Sequence, residues 1–297
     1  MMNVNISVAL AVYNGEPYLY KQLESIVRQE LLPIEIIIVD DGSSDNSENI
    51  IRSFDFGSIK CKYYKNDINL GPIANFKKAI GLCAGDFIAL CDQDDIWLPV
   101  KLKRSYEAMA TKDQSKPVVC FSDVSLIESD DTLIAHSIYD DMWQIKPENY
   151  PFKLILIDNV VIGCTALINR KMQTALSKMP TGGILMHDHW AALIGYSFGE
   201  YSFIKEPLML YRSHPASVTQ KYTTAGLLTR IKNEVRKSAI YMDGNFKQGK
   251  LFKQVHYNDL STHDKKVLDR FLEICKWPFV FKRAYAKMLK LKAHKRI

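Results

Sequence analysis

Three carboxylates crowd the four residues Asp92-Gln93-Asp94-Asp95, directly after the apolar run Phe87 to Cys91. Like charges this close raise one another's energy, and a cation relieves them. A hard divalent ion, Mg2+ or Mn2+, suits one or two carboxylates completed by phosphate oxygens, so the cluster points to a substrate carrying a diphosphate. The competing reading is an acidic helix start before Ile96-Trp97-Leu98, favoured by the helix dipole. A second cluster, Asp40-Asp41-Gly42-Ser43-Ser44-Asp45, ends the apolar run Ile34 to Val39. There a carboxylate can accept from a base N–H or a ribose hydroxyl, and the glycine permits close backbone approach. A plain strand-to-helix turn favours the same residues. The third feature is Asp188, which follows a Pro-Thr-Gly-Gly segment in Met186-His187-Asp188-His189-Trp190 and opens an apolar helix. It is placed either to take a proton or to cap that helix.

Both acidic clusters need strands to bring them together. Ile6 to Val12, Ile34 to Val39, Lys60 to Tyr64 and Phe87 to Cys91 read as strands, and Pro17 to Gln29, Ser44 to Phe54 and Pro72 to Cys83 as helices between them, with Ser44 or Asp45 as N-cap of the second. That alternation predicts parallel βαβ units in a doubly wound α/β sheet, whose ligands sit at the carboxyl ends of the strands. Beyond it, Val118 to Phe121 and Gly163 to Ile168 read as strands and His189 to Tyr196 as a helix. Phe203 to Tyr211 is extended, and Arg212-Ser213-His214-Pro215 turns. The body is expected to span 1–220.

With 47% hydrophobic and 24% charged residues, 14 Gly and 11 Pro, the chain is neither disordered nor collagen-like. No apolar run reaches the roughly 18 residues of a membrane span. The start MMNVNISVALAVYN lacks the basic, long apolar character of a signal peptide, and six scattered cysteines show no paired spacing, so a reduced cytoplasmic protein without a zinc site is expected. His187 and His189 likewise lack a regularly spaced third ligand for zinc.

AVYNGEPYL, VDDGSSD, NLGPIANF, AGDFIALCDQDDIWLPVKL and MHDHWAALIGYSFGEYSFIKEPLMLYRSH, in this order, resemble the motifs of family 2 glycosyltransferases of the GT-A fold over roughly residues 3–220. The chain is most similar to the bacterial O-antigen and capsule branch, many of whose members are described as rhamnosyltransferases. The resemblance implies a Rossmann-like, mostly parallel sheet and an inverting, metal-dependent transferase using a dTDP- or UDP-sugar, with rhamnose from dTDP-rhamnose as the first expectation. It implies a glycan acceptor on a polyprenyl diphosphate lipid at the inner face of the cell membrane. It also assigns roles: Tyr13 against the base, Asp41 accepting from the base N–H, Asp40 near the ribose, and Asn75 and Lys78 at the donor. Asp94 becomes the direct metal ligand and Asp92 a ligand of ribose or metal, while Asp188 becomes the catalytic base. Arg212 would meet phosphate and His214 metal or diphosphate. His189 stands where many relatives have Trp, and Trp190 is either a sugar-stacking ring or core.

A single carboxylate acting as base, with none as nucleophile, implies one displacement with inversion. The alternatives are a UDP-hexose-dependent transferase of the same fold and a non-catalytic nucleotide-binding module at the membrane surface. A sugar nucleotidyltransferase is disfavoured, because AVYNGEPYL has one glycine and no basic residue before Lys21.

Charge divides the chain. Residues 1–219 carry 20 basic and 27 acidic groups, and residues 220–297 carry 19 and 6. The basic helical region 221–297 interleaves Phe271, Trp277, Phe279, Phe281 and Tyr285 with Lys and Arg from Lys265 onward, which suits an anionic membrane surface. The alternative is aromatic packing on the body or on a second subunit, as in a homodimer. No nucleic-acid recognition fold accompanies the charge.

Overall fold

The computed structural model describes residues 4–213 and 227–277, the stretch 227–241 as backbone only. Strands β1 (Ile6–Val12), β2 (Glu35–Asp40) and β4 (Phe87–Cys91) are the continuous apolar runs, and β3 (Lys60–Lys65) flanks β2. Helices α1 (Leu19–Val27), α2 (Ser47–Ser53) and α3 (Pro72–Leu82) make the crossovers. Ile36 to Val39 are wholly buried, worth about 1.5–3 kcal/mol for each such side chain. The order β3-β2-β1-β4 is parallel throughout. Its register places the chemistry: Val12 pairs with Asp40, Asp40 with Lys65, and Leu10 with Cys91. Tyr13, Asp41, Asn66 and Asp92 therefore leave four adjacent strands at one edge of the sheet.

The chain then departs from the expected mostly parallel sheet. After β5 (Ile96–Trp97) and α4 (Lys101–Ala110) come β6 (Val118–Ile127), β7 (Leu133–Ala135), α5 (Phe152–Ile155), β8 (Leu167–Asn169), α6 (Arg170–Ser177), α7 (His187–Gly195) and β9 (Glu200–Arg212). The order continues β8-β6-β9-β5, with β7 beside β6. β8 runs antiparallel to both β4 and β6, and β5 runs antiparallel to β9. Antiparallel pairing brings the residues ahead of β8 to the carboxyl end of β4, where the Leu90 amide bonds the Ala166 carbonyl at 2.9 Å. Pairing of Ile96 with Leu210 likewise delivers Arg212 to the acidic loop.

Several boundaries move from their expected places. Gly163–Thr165 is a 3-10 turn instead of strand, closed by the Thr165 hydroxyl on the Ile162 carbonyl at 2.7 Å. β6 continues to Ile127 because β7 and β9 both pair with it. The N-cap of α2 is Asn46; the Asp45 carboxylate instead accepts from the Ser47 and Glu16 amides. Arg212 is the last residue of β9 and not part of a turn. After residue 226, α8 (Leu227–His256) and α9 (Thr262–Ile274) pack against each other and the body, with Phe246 stacked on Phe271 at 4.7 Å. No helix among the described residues is long and apolar enough to cross a membrane.

Candidate active site

The loop after β1 is laced to the loop after β2. The Asn14 amide donates to Ser43 Oγ (2.9 Å), the Ser44 amide to Asn14 Oδ1 (2.9 Å) and the Gly15 amide to Ser47 Oγ (2.8 Å), while Asn14 takes a left-handed φ of 50°. Gln93 fastens the same loop to the acidic cluster. Its side chain accepts from the Tyr13 amide at 2.7 Å and donates to the Tyr13 carbonyl at 2.9 Å. A Cβ on Gly15 would stand 2.5 Å from Gln93 Oε1, so only glycine leaves room for this pair. Tyr13 is thus fixed through its backbone while the residue stays 49% exposed.

The carboxylates after β2 are engaged from within. Asp40, fully buried, accepts from the Ser43 amide (2.7 Å) and the Tyr63 hydroxyl (2.8 Å), so it shapes the loop. Its presence pushes the Tyr63 phenol upward in pKa, after burial. Asp41 accepts from Asn66 Nδ2 and the amides of Leu70 and Gly71, each at 2.8 Å. Asn66 is the hub that sequence reasoning missed. Besides Asp41 it donates to Asn75 Oδ1 (3.1 Å) and accepts from Lys78 Nζ (2.6 Å), while Asn75 Nδ2 donates to the Val39 carbonyl (2.8 Å). Asp41, Asn75 and Lys78 are therefore brought together through Asn66, a residue whose only signal was its position one step beyond β3.

Asp92 and Asp94 are half-buried at the end of β4, and Asp95 is fully buried. Burial, then the neighbouring charges of Asp94 and Asp188, push the Asp92 carboxyl up to about 7. Burial with Asp94 and Asp92 raises Asp95 well above the carboxylate range. Asp95 Oδ1 accepts from the Arg212 amide at 3.1 Å, and Oδ2 is buried with no partner beyond the weakly donating Cys164 thiol. An under-satisfied buried oxygen inside a cluster of repelling carboxylates is what a divalent cation would complete, so these residues fit one. Arg212 does not face outward to phosphate as expected. It is 1% exposed, with Nε on the Asp94 carbonyl (2.8 Å), Nη1 on the Glu128 carbonyl (3.0 Å) and its guanidinium over the Tyr18 ring, so it braces the acidic loop. His214 lies outside the described residues.

Asp188 is brought to the same corner by the turn before β8. It is the second residue of α7, whose N-cap is Met186, so it is not the cap. Its Oδ2 accepts from the Gly163 amide at 3.1 Å and its Oδ1 from the His189 amide at 2.6 Å. Gly163 allows that approach: a Cβ there would meet His187 Nε2 at 3.0 Å and Asp188 Cβ at 3.2 Å. His187, buried and stacked on Phe76 of α3 at 4.0 Å, ties α7 to the donor-side helix, and burial pushes its imidazole down to about 3. His189 Nε2 pairs with the Ile155 carbonyl at 2.6 Å. Trp190 is fully buried against Phe252 of α8, so it is core and stacks on no sugar. Phe252 and the bond from the Leu185 amide to Gln248 Oε1 (2.8 Å) dock α8 behind the helix carrying Asp188. Phe271 packs inward, Trp277 is exposed, and Phe279, Phe281 and Tyr285 lie outside the described residues.

Comparison with known proteins bears on this site. The profile described as Glycosyl transferase family 2 matches residues 7–173. The dTDP-rhamnosyl transferase RfbG of Shigella flexneri is 28% identical over 258 residues, covering 77% of this chain and 83% of its own. Four other curated relatives are matched over 63% to 70% of their own length, and three more over 27% to 36%. TarS residues 1–349 of S. aureus, solved in complex with UDP-GlcNAc, superposes with a TM-score of 0.55 at 15% identity over 91% of this chain and 80% of that one. PcManGT of Pyrobaculum calidifontis, a mannosyltransferase in complex with GDP-Man and Mn2+, superposes with a TM-score of 0.56 at 15% identity over 97% and 80%.

Proposed function

The chain belongs to glycosyl transferase family 2, has the GT-A fold and is a glycosyltransferase; from that premise we propose that it moves a sugar from a nucleotide donor to a glycan hydroxyl, with inversion. One observation carries the reading. Asp92, Asp94 and Asp95, joined by Asp188 from a segment far along the chain, converge at the carboxyl edge of the sheet, where burial and the neighbouring charges raise the pKa of Asp92 and Asp95. Such a concentration of negative charge is costly in the free protein and useful with a donor diphosphate bound. Asp94 and Asp92 would hold a divalent ion, which would supply Lewis-acid stabilisation of the leaving diphosphate.

The protein's own groups do the rest. Tyr13 offers a half-exposed ring to the base, and Asp41, preset by Asn66 and the amides of Leu70 and Gly71, marks the edge where the base N–H is read. Asp188, fixed by the Gly163 and His189 amides, takes the proton of the acceptor hydroxyl as it attacks the anomeric carbon from the face opposite the diphosphate. Arg212 holds the backbone of the acidic loop against the 128–131 turn. Rhamnose from dTDP-rhamnose is the proposed donor, supported by the likeness to RfbG. The proposed acceptor is a lipid-linked glycan met at the inner membrane surface, supported by the basic tail.

A thermal-shift screen of dTDP-rhamnose, UDP-hexoses and GDP-mannose, each with and without Mn2+, tests this. Stabilisation of about 2.7 kcal/mol at a hundredfold excess over Kd is expected, largest for dTDP-rhamnose and dependent on Mn2+. A larger shift with a UDP-hexose replaces the donor assignment, and no shift with any nucleotide sugar overturns the reading.

A further inference from the structure

Among the described residues, Asp92, Asp95 and Cys164 form a trio of cation-ligand side chains whose ligand atoms all lie within 4.8 Å of one another. Asp95 and Cys164 are given no ligand role at the donor's metal in the proposal above. Cys164 was no part of the acidic motif, because it reaches the corner only through the antiparallel pairing of β8 with β4.

Two features separate this group from an ordinary acidic cluster. Asp95 is 0% exposed and Cys164 1%, so water does not solvate them. One Asp95 oxygen is taken by the Arg212 amide, whereas Oδ2 has nothing stronger than a thiol beside it. The ligands also sit on braced segments: Arg212 clamps the acidic loop, and the Thr165 carbonyl next to Cys164 accepts from the buried Lys101 ammonium at 3.2 Å. Two carboxylates and a thiolate beside one ammonium leave two negative charges, which a divalent ion would neutralise.

We propose that Asp92, Asp95 and Cys164 form a cation site of their own, which takes a thiophilic divalent ion of the Zn2+ or Cd2+ class without nucleotide. Carboxylates alone suit Mg2+ and Mn2+; the sulfur shifts preference to softer ions. On binding, the Cys164 thiol proton and the proton that burial keeps on the Asp95 carboxyl leave to solvent, and the freed sulfur and oxygen electron pairs form the bonds to the ion, with no change of oxidation state. Occupancy ties up Asp92, so such an ion inhibits transfer. That consequence rests on the role given to Asp92 above, while the ligand set itself does not.

Titration of the nucleotide-free, full-length protein with Cd2+, followed by the thiolate-to-cadmium charge-transfer absorption, tests the site. One saturating equivalent is expected in the native chain and in Cys61→Ser/Cys275→Ser, which removes the two cysteines that are not buried. Cys164→Ser should abolish the band, and Asp95→Asn, which keeps the sulfur, should weaken Cd2+ binding by about tenfold or more, since even outer partners of metal sites are worth that much. No band in the native chain, or an undiminished band in Cys164→Ser, overturns the proposal. Zn2+ should also inhibit Mn2+-supported transfer by the native chain. A Cys164-dependent band without inhibition upholds the site and removes the donor role of Asp92.

Discussion

Replacing Asp188 by Asn keeps the shape of the side chain and removes only its charge and basicity. In the native site both oxygens accept from backbone amides, Gly163 at 3.1 Å and His189 at 2.6 Å. An Asn amide accepts one of these and turns an N–H toward the other, a loss of about 1–3 kcal/mol for an unpaired buried donor. The loss is offset in part, because Asp188 is one of the charges that hold Asp92 near 7, and without it Asp92 ionises more readily. Stability should therefore change little, and nucleotide affinity should hold or rise. Turnover should fall about 10²-fold or more, equal to about 2.7 kcal/mol of transition-state stabilisation, since no other described carboxylate is held at the start of α7. The assay pairs calorimetric nucleotide binding with release of nucleoside diphosphate in the presence of acceptor. Turnover within a few-fold of native, at unchanged nucleotide affinity, refutes the role of Asp188 as base.

Gly163→Ala pushes Asp188 by a few tenths of an ångström, and turnover should drop about tenfold with nucleotide affinity unchanged; an unaltered rate would show that Asp188 needs no such support. Asn66→Ala removes one of three donors to Asp41 and the acceptor of Lys78. Nucleotide affinity should fall about tenfold, the worth of one hydrogen bond to charge, while the rate of the bound complex is preserved, as read by kcat against KM. His187 has its folded pKa depressed from 6.5 to about 3, so the unfolded chain binds the extra proton in that window. Its contribution is complete above pH 6.5 and shrinks as pH falls, by about 1.4 kcal/mol per unit, or about 2 kcal/mol by pH 5. Urea unfolding midpoints of the native chain and of His187→Phe, which retains a ring on Phe76, should converge in this way on acidification, and parallel profiles would contradict it.

The parallel half of the fold was legible because its strands are continuous apolar runs and its crossovers carry helical spacing, as in Ile34 to Val39 and Pro72 to Cys83. Their shared register then explains why Tyr13, Asp41 and Asp92 meet. The mixed half was legible in its strands but not in their pairing: β8 is three residues long, and its partners, like the parallel β6–β9 pair, are set by tertiary pairing that no local period encodes. This is why Gly163 and Cys164, which complete the acidic corner, went unnoticed; Asn66, one step beyond β3, was missed because only its hydrogen bonds to Asp41, Asn75 and Lys78 mark it. Asp40 and Arg212 were legible as charged residues in the right segments, but their outward role was not, because burial and internal hydrogen bonds decide whether a charge braces a loop or meets a ligand. Trp190 likewise became core once α8 covered it.

The claim on which the catalytic account depends is that Asp92 and Asp94 share a divalent ion with the donor diphosphate. Anomalous diffraction from crystals grown with Mn2+ and dTDP locates that ion directly. A manganese peak between these carboxylates and the diphosphate is the result the account requires. Well-ordered nucleotide with no manganese at that corner, or with its phosphates turned away from Asp92 and Asp94, contradicts it.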